Sequence, residues 1–163
     1  MAQTAAAFHD SSIRDHGRKN HEMTSAVMLR RERELDGWFQ PSEIEIMADA
    51  IEDHRASSPR LPRTILGALL ADADRLADAD LAELVRRCWK FRQHSMPGAS
   101  REDHLQDMSD HLVQKYGDHG YARYLLVVTA VLSGMIPDQI ITRVGDIGEL
   151  EATLELLEAT HRV

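Results

Sequence analysis

Apolar residues along this chain recur with a helical period, and the polar residues between them include the capping types that start and stop helices. Residues 2–8 read as the last turns of an alanine-rich helix. Residues 21–35 read as another, with Met23, Ala26, Val27 and Leu35 apolar, the stretch from Arg30 to Glu34 solvated, and Gly37 as its stop. Ser42 and Glu45 form a capping-box pattern. The helix they would open carries Ile44, Met47, Ala48 and Ile51 at i, i+3, i+4, i+7 spacing and should end near Ser57-Ser58-Pro59. Residues 63–76 are apolar almost all round from Ile65 to Leu70, as a central buried helix would be.

The second half continues the pattern. Asp80 with Glu83 can cap a helix that puts Leu81, Leu84, Val85 and Cys88 on one face. Pro97-Gly98 marks a loop, and Ser100 with Asp103 starts a helix turning Leu105, Met108 and Leu112 inward. Gly117 and Gly120 interrupt it, residues 121–134 read as a buried helix, and Asp146 with Glu149 opens a last one bearing Ile147, Leu150, Leu154 and Leu157. Strand signals are confined to the valine and isoleucines of 140–144. The expected fold is all-α, a single-domain bundle of about six or seven helices around a central buried one.

Composition narrows the function classes. A chain of 163 residues suits one domain. Its 19 Lys+Arg against 27 Asp+Glu leave a net charge of -8, which argues against an unspecific grip on duplex nucleic acid. Bound metal would supply local positive charge, so a phosphate substrate is compatible with the acidic total. The single cysteine, Cys88, excludes an internal disulfide and suits a reducing cytoplasm. No secretory signal pattern is evident, and the longest mostly apolar run, 121–135, contains Arg123 and is too short for a membrane span.

The candidate chemistry begins where Ala5-Ala6-Ala7-Phe8 ends in His9-Asp10. An imidazole beside a carboxylate can reach one divalent cation if the helix stops there, as Ser11-Ser12 and Gly17 suggest. His21, His54 and Asp74 follow at wide spacing. His54 lies three residues after Ile51 and seven after Met47, on the inward face, and Asp74 lies four after Leu70, on the expected buried side. The plainer readings are a dipole-stabilised helix-end histidine for His9, a solvent-facing first-turn residue for His21, and a core or capping histidine for His54. His104, His111 and His119 read as a solvated helix face and loop.

The order His9-Asp10, then Gly17-Arg18-Lys19-Asn20-His21 with Thr24-Ser25, then Glu52-Asp53-His54-Arg55, then Ala71-Asp72-Ala73-Asp74-Arg75, resembles the HD-domain superfamily of metal-dependent phosphohydrolases over about residues 5–125. It looks closest to a group of small bacterial HD-domain proteins. The resemblance implies an HD-like metal-binding helical core over 1–125 and a C-terminal helical extension over 126–163 packing on it. It implies one or two divalent ions (Mn, Fe, Co, Ni, Zn or Mg) held by His9, Asp10, His21, His54 and Asp74, with Asp10 as catalytic residue bridging the ions. Asp74 is favoured over Asp72, because the family's last ligand precedes a basic or small residue and Leu. Members usually carry a further metal histidine upstream of the His-Asp pair, and no such segment precedes His9 here. A shortened form, a replacement ligand and a degenerate site all stay open.

The implied activity is hydrolysis of a nucleotide or other small phosphate ester by metal-activated water, with Arg55, Arg18 and Lys19 as candidate phosphate contacts and Asp53 or Asp72 as candidate proton carriers. The alternative is a degenerate HD domain serving as a nucleotide-binding or protein-interaction module. The expected partner is a small phosphorylated molecule, with no duplex nucleic acid and no membrane, and a homodimer is left open.

Overall fold

The computed structural model describes residues 1–76, 81–117, 119–122, 125 and 145–160, and among them every regular element is helical. The chain forms two compact units, one of Met1–Arg75 with Tyr124–Thr129, the other of Leu76–Arg123 with Ala130–Val163. The helices that follow residue 80 share a core with the C-terminal helix, which is why they separate together.

The first unit holds α1 (Ala2–Phe8), α2 (Ile13–His16), α3 (His21–Arg31), a 3-10 turn (Arg33–Gly37), α4 (Pro41–Asp53) and α5 (Ile65–Leu76), whose last residue passes into the second unit. The 21–35 stretch is not one helix: Glu32 takes an extended conformation, and its side chain accepts from the Glu34 N–H to start the 3-10 turn that runs to Gly37. α4 begins two residues earlier than the Ser42/Glu45 pattern suggests. Pro41 sits at its first position, where a missing N–H costs nothing, and the Glu43 carboxylate accepts the Gln40 N–H at 2.8 Å. It also ends earlier, at Asp53, with His54 as its cap.

α4 packs against both α3 and α1, and Ala5, Ala26, Leu29, Met47, Ala48, Ala50 and Ile51 are fully buried between them. Each large member contributes about 1.5–3 kcal/mol through burial. α5 is one-sided rather than apolar-buried all round: Leu70 and Ala71 face the core, while Ile65 is 76% exposed. Gly67 lets it approach closely, since a Cβ there would lie 3.1 Å from Pro62 Cβ and 3.5 Å from Ala50 Cα.

An ion cluster ties the loop before α5 to α4. Arg63 donates to Asp53 from its backbone N at 2.8 Å and its Nε at 2.9 Å, and pairs with Asp49 and Glu52. Asp53 is nearly buried and Arg63 is half exposed. Arg63→Met should therefore destabilise by about 2–3 kcal/mol, below the roughly 3–5 of a fully buried pair, because water reaches the guanidinium. Urea unfolding would check it; a loss under about 0.5 kcal/mol would mean the cluster is ordinary surface charge.

The second unit packs α6 (Leu81–Ser95), α7 (Arg101–Tyr116) and α8 (Ile147–Ala159) around Leu84, Val85, Trp89, Leu105, Met108, Leu112, Leu150, Leu154 and Leu157. Ser100 and Asp103 form the expected capping box, and Asp146 accepts from the Glu149 N–H. His104 is not solvated: it is buried edge-on against Trp89, and its Nε2 lies 3.1 Å from the Met96 carbonyl. Burial also pushes the His111 pKa down. The strand signal at 140–144 and most of the helix expected over 121–134 lie outside the described residues, while Tyr121 and Ala122 are not helical.

Candidate metal centre

Three helix boundaries of the first unit deliver the histidines. His9 caps the C-terminus of α1, His54 caps that of α4, and His21 opens α3 after Asn20, whose left-handed backbone (φ 56°) turns the chain. Asparagine is among the few residues that adopt that conformation readily. In each ring Nδ1 faces a backbone carbonyl three residues back: Ala6 at 2.7 Å, Arg18 at 2.9 Å and Ile51 at 2.6 Å. A carbonyl only accepts, so Nδ1 carries the proton in the neutral ring and the Nε2 lone pair is presented outward. At His9 and His54 a helix end supplies this locally, because its last carbonyls lack intrahelical partners.

The three Nε2 atoms converge on Asp10, which follows α1 directly. Its Oδ1 lies 3.1 Å from His21 Nε2 and 3.8 Å from His54 Nε2, while its Oδ2 lies 3.7 Å from His9 Nε2. On its other side His9 Nε2 is 3.7 Å from Asp74 Oδ1. The His54 ring stands edge-on to both others, with centroids 5.2 Å from His9 and 5.3 Å from His21. Two ligands each about 2.1 Å from a shared ion are separated by about 3–4 Å. Asp10 meets that spacing with His21 and with His54, and the ligand atoms of the three all lie within 4.8 Å of one another, so they form a group that could hold a metal ion.

The electrostatics differ between the rings. The Asp74 carboxylate facing Nε2 is the main cause that holds the His9 pKa up, to about 9; burial opposes it, and the Ala6 carbonyl and the Asp10 charge support it. Burial pushes His54, which is nearly inaccessible, down.

All five sequence candidates thus lie in one constellation, with corrections of detail. Asp74 reaches it from the exposed side of α5, not the buried side; the buried carboxylate is Asp72, which accepts from Arg75 and from the Leu125 N–H. His21 is buried rather than solvent-facing. Asp53 and Asp72, the candidate proton carriers, are both buried and paired, Asp53 with Arg63 and Asp72 with Arg75 and the Leu125 N–H. Arg55 is partly exposed and pairs with Glu22 at 3.4 Å; Arg18 and Lys19 lie exposed on the loop before α3, and the Arg18 carbonyl orients His21.

Glu22 was not singled out from the sequence. Its Oε2 lies 3.5 Å from His21 Nδ1 as well as beside Arg55, so it links a ligand candidate to a phosphate-contact candidate. Its position directly after His21 in a first helical turn was the available signal. Compared with protein-family models, curated proteins and solved structures, the chain gives no match. No helix among the described residues is long and apolar enough to cross a membrane.

Proposed function

We propose that this chain is a metal-dependent phosphohydrolase acting on a small phosphate ester, with nucleotides the foremost class. The observation that supports it most is the division of Asp10: one carboxylate oxygen faces His21 and His54, the other faces His9, which also faces Asp74. Three imidazoles with Nε2 turned inward and two carboxylates suit divalent first-row metals. In this reading His9 and Asp74 would hold one ion, His21 and His54 would hold a second, and Asp10 would contribute to both. The ordered resemblance to HD-domain phosphohydrolases points the same way.

When bound, such ions acidify water and offset charge on phosphoryl oxygens. The chain's own residues do the rest. The carbonyls of Ala6, Arg18 and Ile51 fix each imidazole, so the ligand set is organised before any ion arrives. Arg55 offers a forked donor to a substrate phosphate that displaces Glu22, and Arg18 and Lys19 add positive charge on the neighbouring loop.

The test is phosphate release from a panel of nucleotides and simple phosphomonoesters with Mn2+ titrated from zero into chelator-treated protein. The expected result is turnover of at least one ester that rises with Mn2+ and is lost on chelation. Tight nucleotide binding without release at any metal concentration would favour a non-catalytic binding module instead.

A further inference from the structure

Two serines that stand beside the ligand candidates in sequence, Ser12 two residues after Asp10 and Ser25 one turn after His21, have no part in the chemistry above. Both are completely buried. The Ser12 N–H donates to Ser25 Oγ at 3.2 Å, the Ser25 hydroxyl donates to Ser12 Oγ at 3.0 Å, and the Ser12 hydroxyl donates to the His21 carbonyl at 3.0 Å. Each hydroxyl proton is used once and in one direction. The chain of bonds ends on the residue whose ring sits 3.1 Å from Asp10.

From this closed link we infer that Ser12 and Ser25 are positioning residues that set the separation of Asp10 from His21 and so the affinity for a metal ion. The inference rests on the metal reading proposed above. The turn after α1 is short and has few other ties to α3: Ser11 Oγ donates to the Phe8 carbonyl of its own turn and only weakly to Met28 sulfur at 3.9 Å. Without the serine link, the Asp10 turn and the first turn of α3 are held by apolar packing, which does not fix a carboxylate-to-imidazole distance to a few tenths of an ångström. The Ser25 hydroxyl in Ser12→Ala, and the Ser12 N–H in Ser25→Ala, would also be left buried without its partner and would drive a local shift.

The experiment measures Mn2+ binding to full-length wild type, Ser12→Ala, Ser25→Ala and the double variant by calorimetry, with circular dichroism confirming that each is folded. Residues that orient metal ligands typically contribute roughly 10–100-fold to affinity, and each single variant is expected to lose about that much. Because both changes break one link, the double variant should lose little more than either single. Leu29→Val, a core change on α3 that leaves the serines intact, controls for lost stability and should bind as wild type does. Wild-type uptake with unchanged affinity in both serine variants, or an equal loss in Leu29→Val, overturns the positioning role alone. Wild type that takes up no Mn2+ overturns the metal reading and this inference with it.

Discussion

Asp10→Ala protein is expected to release phosphate at roughly a thousandth of the wild-type rate or less at any Mn2+ concentration, a larger loss than the roughly 10–100-fold of residues that only orient ligands. The Asp10 oxygens face all three Nε2 atoms, so its removal takes a ligand from both halves of the constellation at once. Added metal would not rescue it, because the loss is of the shared ligand and not of occupancy alone. The fold should survive: Asp10 is 45% exposed, so the change leaves no cavity and strands no buried charge. His21→Ala and His54→Ala differ in this respect, since both rings are buried and their loss would mix stability with chemistry. Phosphate release by folded Asp10→Ala at more than about a tenth of the wild-type rate would mean that any hydrolysis occurs elsewhere.

Much of this was legible in the sequence because helix caps and apolar spacing are local signals. Met47 and Ile51 fixed the inward phase of α4, and three residues further on the same phase brought His54 to the buried side. The Ser100/Asp103 and Asp146/Glu149 caps were readable for the same reason. What failed depended on context. Periodicity could not decide between Asp72 and Asp74, because two positions on a helix point about 200° apart and either could face inward. In the structure the buried Asp72 pairs with Arg75 and accepts from the Leu125 N–H, while Asp74, the partly exposed one, faces His9. The link between Ser12 and Ser25 left no mark in the sequence, since no local rule reports a hydrogen bond across thirteen residues. The roles of Glu22 and Arg63 were hidden likewise, because ion pairs between separate elements leave no periodic trace.

Metal affinity should climb with pH by about tenfold per unit from pH 7 until it levels off near pH 9. The reason is a proton. His9 Nδ1 donates to the Ala6 carbonyl, so the proton that a cation must displace is the one on Nε2, and Asp74 foremost holds it there up to a pKa of about 9. His54 adds nothing to this window, because burial pushes its pKa below 6.5 and it is already neutral. Stability of the metal-free protein should move the other way. The contribution of His9 is fully present below its unfolded-state value of 6.5 and is lost as pH rises through about 9, so the metal-free melting temperature should fall over the range in which affinity grows. In Asp74→Asn the main support for that proton is gone, and the His9 midpoint, followed by NMR on metal-free protein, should drop toward 6.5. Calorimetric Mn2+ titrations at half-unit steps supply the decisive slope: an affinity independent of pH between 7 and 9 would show that no histidine proton stands between the site and its ion.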